Sequence, residues 1–397
     1  MGAHIMSTGN DDHLQRAIGV DHCDGREVVI MKMITVEVTA VRQLFTVHAR
    51  AASLPLMKTV TGTKVAAAVA MLVLTGCAGG ESPGAVGREA TAGGGTTTYP
   101  FTMKNCGADV TFEAAPQRVV TLNQTAAEIL IKLGVGDRVV GSGYEIYQPP
   151  ADMAEQYEKI PLLSAPGQPI KHEKLLEAQP EFVYTSFGSF LTAAQAGDRE
   201  QLHDLGVPTY ITELDCTLHA SVADANFDML YQEYRDLAKI FDVPAAGEKL
   251  ATEQQALVEK ALDAVENRNT PLKVLWFYST YAGTPWAAGP GGLPQHISDL
   301  AGVKNIFDDA STKWAEVSWD EVAARDPDAI ILADLTRGEP NDTAAEKIDL
   351  LKKDPLTSKL TAVTDDRFIT IPGAQMDPSY GSVYIVPALV EGLNRFR

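Results

Sequence analysis

From residue 118 onward, the chain alternates between two hydrophobic periods. Short runs rich in Val and Ile predict buried strands, and stretches whose apolar residues recur every three or four positions predict amphipathic helices. The first half has predicted strands at 118–123, 138–143 and 182–187 and predicted helices at 124–134 and 198–206. Short strands that alternate with helices indicate a parallel sheet covered by helices.

Two helical stretches, 225–243 and 245–267, then follow each other without a strand. The second would be about 33 Å long and is rich in charge, as expected for a helix that lies across two domains. The alternation restarts with strands at 272–279, 329–334 and 367–372 and helices at 293–302 and 382–396. We therefore predict an N-terminal α/β lobe at 99–244, a linking helix at 245–267 and a C-terminal α/β lobe at 268–397.

One phrase occurs twice, as HEKLLEAQPEFVYTSF at 172–187 and as SWDEVAARDPDAIILAD at 318–334. Glu173 stands seven residues before Pro180, and Asp320 stands seven before Pro327. The equivalent positions indicate a crude internal duplication. Both acids also suit the first turn of a helix, so a purely structural role stays open. Ser318 and Glu321 have the spacing of a capping box.

The first 76 residues have a different character. Residues 1–56 show no sustained period, and we expect an upstream extension there. Residues 57–76 have a short basic start and a ten-residue apolar run, too short for a bilayer and typical of a secretory signal. The run ends in Leu-Thr-Gly-Cys77, which resembles a lipoprotein acylation site; a buried helix that ends at a free thiol is the alternative. The Gly/Ser/Thr-rich stretch 77–98 predicts a flexible tether.

The cysteine count points to one disulfide. Of the four cysteines, Cys23 falls in the predicted extension and Cys77 at the predicted acylation site, which leaves Cys106 and Cys216. Outside the cytoplasm such a pair is expected to be oxidised. It would close a loop that the chain-entropy model credits with roughly 4 to 5 kcal/mol. Two isolated buried thiols are the alternative.

Charge and motifs exclude several classes of function. The net charge of −19 argues against nucleic acid and anionic membranes as partners. The segment GVGDRVVG lacks the third glycine of a nucleotide loop, HEKLL is not HExxH, and no G-x-S-x-G is present. The histidines after the leader, His172, His203, His219 and His296, are too scattered for a zinc or manganese site. We expect neither an enzyme nor a resident cofactor.

Several segments together resemble a known family. They are PQRVVTLNQTAAEILIKLGVGDRVVG, HEKLLEAQPEFVYTS, AGVKNIF, WAEVSWDEVAARDPDAIILAD and the long middle helix. Their order and spacing over 99–397 resemble the helical-backbone class of ABC-importer substrate-binding proteins, which bind ferric siderophores, haem or cobalamin. The resemblance implies two Rossmann-like α/β lobes joined by one rigid helix, with the ligand cleft between the lobes. It also implies that Glu173 and Asp320 dock onto arginines of the permease dimer, with Glu321 as a substitute because the Asp side chain is short.

Ligands of open α/β sheets bind beyond the carboxyl ends of the strands, so we predict the binding residues there. The N-lobe candidates are Asn123, Gln124, Thr125, Tyr144, Tyr147, Ser186 and Phe187. The C-lobe candidates are Tyr278, Tyr281, Trp286, Lys313, Trp314, Arg337, Gln375, Met376 and Tyr380. The aromatic residues suit a bulky, partly apolar ligand, although each could instead belong to the core. Lys313 and Arg337 would favour a negatively charged ligand, or else be solvated.

The sequence thus predicts a monomeric extracytoplasmic lipoprotein, anchored to the outer face of the bacterial cytoplasmic membrane. It would capture a ferric siderophore and deliver it to an ABC permease, with iron present only as part of the ligand. Cobalamin, haem and an anionic deazaflavin precursor stay open as ligands. A membrane-anchored receptor module that transports nothing is a further alternative.

Overall fold

The computed structural model of the protein describes residues 96–216, 225–266 and 269–396. The strands are β1 Phe101–Asn105, β2 Ala108–Phe112, β3 Val119–Thr121, β4 Val139–Gly141, β5 Phe182–Thr185, β6 Thr209–Ile211, β7 Lys273–Tyr281, β8 Thr284–Ala288, β9 Lys304–Asn305, β10 Trp314–Glu316, β11 Ala329–Asp334 and β12 Phe368–Pro372. The helices are α1 Gln124–Lys132, α2 Ala154–Tyr157, α3 His172–Glu177, α4 Arg199–Asp204, α5 Phe227–Ile240, α6 Pro244–Leu262, α7 Leu293–Leu300, α8 Trp319–Arg325, α9 Ala344–Lys353, α10 Thr361–Thr364 and α11 Ile385–Arg395. The predicted extension, the signal peptide, Cys77 and His219 lie outside the described residues.

The N-terminal lobe contains a four-stranded sheet in the order β4-β3-β5-β6. Its neighbouring strands all pair in parallel, which confirms the prediction for this lobe. Phe182 and Tyr184 of β5 pack on the side of α1 and α5, whereas Val183 packs with Leu175 of α3 and Leu202 of α4. Helices therefore cover both faces of the sheet, and its strands are apolar on both sides.

The C-terminal lobe contains a mixed sheet whose main path is β10-β8-β7-β11-β12. Strands β7, β11 and β12 run parallel, as predicted, but β8 and β10 are antiparallel. A tight hairpin makes this edge possible, because Ala282 and Gly283 both have positive φ, 51° and 86°. Trp286 and Trp314, which we predicted in loops, therefore lie within β8 and β10.

Helix α6 bridges the two lobes. It packs against α5 so closely that a Cβ on Gly247 would come 2.6 Å from the backbone oxygen of Tyr234. Gln254 of α6 accepts a hydrogen bond from Tyr234 Oη at 2.9 Å and donates one to the backbone oxygen of Tyr380 at 2.9 Å. The helix begins with Pro244, a favoured first residue, and ends at Leu262, before the predicted end at 267. No described helix has both the length and the apolar character needed to cross a bilayer.

A β-hairpin of β1 and β2 precedes the first sheet and was not predicted. Its turn is formed by Cys106 and Gly107, with φ of 46° and 79°. Phe112 of β2 packs edge-on against Phe182 with ring centroids 5.5 Å apart. Cys106 is bonded to Cys216, with 5.2 Å between the Cα atoms. The predicted disulfide is thus confirmed, and it holds the hairpin to the end of the N-lobe sheet.

Candidate functional site

The turn after β3 is held together by buried amides. Asn123 Oδ1 accepts a hydrogen bond from the backbone N–H of Ser186 at 2.9 Å, and Asn123 Nδ2 donates to Thr125 Oγ1 at 2.5 Å. Gln124 Oε1 accepts from the backbone N–H of Ile146 at 3.2 Å. The side chains of Asn123, Gln124, Thr125 and Ser186 are at most 2% exposed. We had predicted these residues to face a ligand; in the structure they position the loops that carry the aromatic residues.

Aromatic residues form the N-lobe wall beyond these strands. The Tyr144 and Phe187 rings lie 6.0 Å apart in an edge-to-face arrangement, and Phe190 lies 4.9 Å from Tyr144. Tyr147 Oη donates to Glu128 Oε2 at 2.5 Å. Burial raises the pKa of Glu128 to about 7, although the hydrogen bond from Tyr147 works in the opposite direction. Phe190 was not among the predicted residues.

The C-lobe wall pairs its aromatic residues across strands. Tyr278 lies 4.8 Å from Trp314, and Tyr281 lies 5.7 Å from Trp286. Arg337 follows β11 and donates from Nη1 to Tyr281 Oη at 2.7 Å. Its guanidinium also lies over the Tyr278 ring, 5.7 Å from the centroid. The structure therefore brings these five predicted residues into one wall.

Arg337 is fixed by a buried carboxylate. Its Nε donates to Asp342 Oδ2 at 2.9 Å and its Nη2 donates to Asp342 Oδ1 at 2.5 Å. Burial lowers the pKa of Arg337, but the hydrogen bonds with Asp342 and Tyr281 outweigh it and leave the pKa above its usual value. Lys347, which is fully buried, donates to the backbone oxygen of Asp342 at 2.7 Å. Burial lowers the pKa of Lys347 to about 8.

Lys313 forms an ion pair that crosses between the lobes. It bonds to Asp215, which follows β6 in the N-terminal lobe. Asp377, after β12, is also buried and accepts a hydrogen bond from Tyr278 Oη at 3.4 Å. Burial, together with the charge of Asp215, raises the pKa of Asp377 to about 7. Both predicted cations of the cleft thus already have carboxylate partners, contrary to the expectation that they would await an anionic ligand.

The turn after β12 contributes less to the cleft than predicted. Met376 is 1% exposed and packs in the core. Gln375 is half-buried. Tyr380 is half-buried, and the ammonium of Lys132 from α1 lies 4.7 Å from the centroid of its ring. Tyr380 therefore takes part in a contact between the lobes, whereas Met376 belongs to the interior.

The two walls face each other. Thr336 Oγ1 donates to the backbone oxygen of Ile146 at 3.4 Å across the cleft. Tyr144 is close enough to Asp377 and Arg337 for their charges to act on its pKa, which burial raises. The carboxyl ends of the parallel strands of both lobes thus face each other across an interface rich in aromatic rings and paired charges, which we call the cleft. Such a surface can enclose a bulky ligand through ring contacts and a few hydrogen bonds.

Two further findings concern other kinds of site. Within the described residues, no group of three or more His, Cys, Asp or Glu side chains is placed to hold a metal ion. A surface depression with a volume of about 570 Å³ lies beside α9. Most of the residues that line it are charged, among them Glu346, Asp349 and Lys353. It has no aromatic lining, so we assign the site to the cleft.

A family model described as periplasmic binding protein matches residues 119–374, which include both sheets and the bridging helix. The chain belongs to the periplasmic binding protein family. A vitamin B12-binding protein from Vibrio campbellii is 26% identical over 230 residues, 56% of this chain and 73% of that protein.

Solved structures of periplasmic binding proteins also match. An ABC-type Fe3+-hydroxamate transport system protein from Saccharomonospora viridis has a TM-score of 0.63 and 25% identity, covering 75% of this chain and 99% of that one. A periplasmic haem-binding protein from Roseiflexus has a TM-score of 0.55 and 23% identity, covering 70% and 98%. The latter likeness supports the fold alone.

This periplasmic binding protein carries the predicted docking acids on short helices. Glu173 and Asp320 are exposed in the first turns of α3 and α8. The predicted capping box at α8 is confirmed, because Glu321 Oε2 accepts from the Ser318 N–H at 2.9 Å and Glu321 N–H donates to Ser318 Oγ at 3.1 Å. The carboxylate of Glu321 therefore serves the helix end, which weakens it as a docking substitute. The docking role of Glu173 and Asp320 stays a prediction.

Proposed function

We propose that this protein captures a ferric siderophore outside the cytoplasm and delivers it to an ABC permease. The observation that carries the proposal is the aromatic cleft at the carboxyl ends of two sheets, in a chain of the periplasmic binding protein family. The likeness to the Fe3+-hydroxamate transport protein supports iron as the cargo, since that match covers almost all of that protein.

The wall geometry is suited to such a chelate. A ferric siderophore presents an apolar carbon framework around oxygen atoms that surround the metal. The pairs Tyr278–Trp314 and Tyr281–Trp286, with ring centroids 4.8 and 5.7 Å apart, offer apolar ring surfaces. The Tyr281 hydroxyl accepts from Arg337 and can still donate to a ligand oxygen. The metal would stay within its chelator, so the protein needs to supply no iron ligand of its own.

Delivery would use the exposed acids on α3 and α8. Glu173 and Asp320 stand at equivalent positions of the two lobes, which matches the two-fold arrangement of a permease dimer. Each carboxylate can accept a forked pair of hydrogen bonds from an arginine. Acylation at Cys77 would hold the protein near the permease through the tether 77–98. We expect the bridging helix to limit lobe closure to a small angle.

Cobalamin and haem are the second candidates within the same fold and role. Cobalamin is supported by the vitamin B12-binding relative at 26% identity. Haem is supported by Tyr281, which is 44% exposed at the cleft, because a tyrosine oxygen can serve as an axial ligand of haem iron. A receptor that transports nothing would differ in one respect: deletion of the cognate permease would leave its biological role intact.

Tryptophan fluorescence of the purified protein tests the proposal. Trp286 and Trp314 are half-buried in the cleft wall, whereas Trp276 is fully buried in the C-lobe core. Ferric hydroxamate, catecholate and citrate complexes would be titrated, with cobalamin and haemin as comparisons and correction for absorbance. We expect saturable quenching by a ferric siderophore below micromolar concentration, lost in Trp314→Phe and Trp286→Phe together. Binding of cobalamin or haemin, with no response to the ferric hydroxamate, catecholate or citrate complexes, would refute the siderophore assignment.

A further inference from the structure

Each of the two predicted cations of the cleft is paired with a carboxylate. Arg337 pairs with Asp342, and Lys313 pairs with Asp215 across the lobes. Asp342 is buried almost completely, and the side chain of Asp215 is 13% exposed. Neither cation can turn to a ligand without leaving a poorly solvated carboxylate behind. Loss of one partner from such a pair is strongly unfavourable.

Two further carboxyl groups, those of Asp377 and Glu128, form no ion pair in the described contacts, although the charges of Lys313 and Arg337 act on Asp377 and that of Lys132 acts on Glu128. Asp377 accepts a hydrogen bond from Tyr278 Oη at 3.4 Å, and Glu128 accepts one from Tyr147 Oη at 2.5 Å. Asp377 is near enough to Tyr147 for its charge to act on the Tyr147 pKa, so the two acids belong to one neighbourhood. Lys313 and Arg337 are thus already compensated by carboxylates, and neither is free to meet an anionic ligand.

We propose that this cleft selects chelates of neutral or positive net charge and discriminates against negatively charged ones. The inference rests on the proposed function and narrows it. Three hydroxamate groups, each with one negative charge, balance Fe3+ and give a neutral centre. Three catecholates leave a net charge of −3. A negative chelate would enter where Lys313 and Arg337 are already neutralised by carboxylates, beside Asp377 and Glu128, which are partly ionised at neutral pH. It would lose its hydration without gaining a cationic partner.

Three probes with the same iron centre isolate the charge. Ferrioxamine B is a linear trihydroxamate complex with a free ammonium group. Acetylation of that amine gives a neutral complex, and succinylation gives one negative charge. Affinities are measured for the purified protein by tryptophan quenching at low salt. We expect the ammonium and acetyl forms to bind at least about tenfold more tightly than the succinyl form, a difference of 1.4 kcal/mol.

Two variants connect the preference to the cleft. Asp377→Asn removes a charge but keeps an acceptor for Tyr278, and we expect it to reduce the ratio between the ammonium and succinyl forms several-fold. Glu177→Gln, which changes an exposed acid of α3, should leave the ratio unchanged. Equal or tighter binding of the succinyl form by the unmodified protein would overturn the inference and leave the proposed function standing. If none of the three complexes binds but a ferric catecholate or citrate does, the inference fails and the proposed function stands; if no ferric siderophore complex binds at all, both fail.

Discussion

The buried ion pair between Arg337 and Asp342 gives the sharpest test of the cleft. The perturbation is Asp342→Ala. The side chain of Asp342 is 2% exposed and that of Arg337 is 11% exposed, so removal of the carboxylate leaves a guanidinium that water reaches poorly. Removal of one partner from a buried pair costs about 3 to 5 kcal/mol. Arg337 keeps hydrogen bonds to Tyr281 and Ser279, so we expect the lower end, about 3 kcal/mol.

The assay is urea unfolding, followed by circular dichroism and by tryptophan fluorescence. The fully buried Trp276 reports on the C-terminal lobe. We expect the unfolding midpoint to fall while the slope against urea is unchanged, which identifies a change in stability. Glu177→Ala is the control, since its partner Lys174 is 58% exposed and exposed pairs contribute about 0 to 1 kcal/mol.

A double variant separates the charge from the packing. Arg337→Met with Asp342→Leu removes both charges, and we expect it to recover most of the lost stability because the buried guanidinium no longer lacks its carboxylate, while Lys347 keeps its hydrogen bonds to the backbone oxygens of Ala333 and residue 342. If Asp342→Ala lowers the free energy of unfolding by less than about 1 kcal/mol, the pair contributes no more than an exposed ion pair, and the reasoning is refuted. A double variant that is less stable than Asp342→Ala would refute it equally.

Three further predictions concern docking and pH. Glu173→Ala with Asp320→Ala should abolish uptake in cells and leave ligand affinity unchanged, and lost affinity would contradict the docking role. Burial lowers the pKa of Lys347 from 10.5 to about 8, so between these values the unfolded chain binds more protons than the folded one. The free energy of unfolding should therefore rise from about pH 8 to 10, and Lys347→Met should flatten this rise. Glu233 is fully buried between Tyr184 and Thr212, and burial raises its pKa from 4.5 to about 7. The folded chain then binds more protons, stability should fall between about pH 4.5 and 7, and Glu233→Gln should be more stable than the unmodified protein above pH 7 if the reasoning holds.

The spacing of hydrophobic residues predicted most of the strands and helices from which the cleft is built. Strands β3, β5 and β11 and helices α1 and α5 have apolar positions at one clear spacing, so local sequence identifies them. Strand β8 was missed because Thr284–Ala288 contains Pro285 and two alanines, a composition typical of loops. Its pairing with β7 supplies the stability that its own sequence lacks. The β1–β2 turn did carry a signal, since glycine at Gly107 suits the positive φ of a hairpin turn.

The polar contacts of the cleft could not be predicted in the same way. Hydrophobic periodicity identifies each strand and its buried positions, but it does not show which side chain of one lobe meets which side chain of the other. Lys313 and Asp215 are 98 residues apart and belong to different lobes. Cys106 and Cys216 are separated even further, by 110 residues, yet their pairing was predicted because the other cysteines fell in the leader. The disulfide was predicted by excluding the other two cysteines, whereas no sequence pattern indicated the ion pair between Lys313 and Asp215.

The disulfide between Cys106 and Cys216 lies directly beside the cleft. Cys216 directly follows Asp215, so the bond to the hairpin also anchors the residue that meets Lys313. Thiol-reducing compartments keep such bonds open, and oxidising ones close them. An oxidising compartment thus fixes, through one covalent bond, the backbone beside one carboxylate of the cleft.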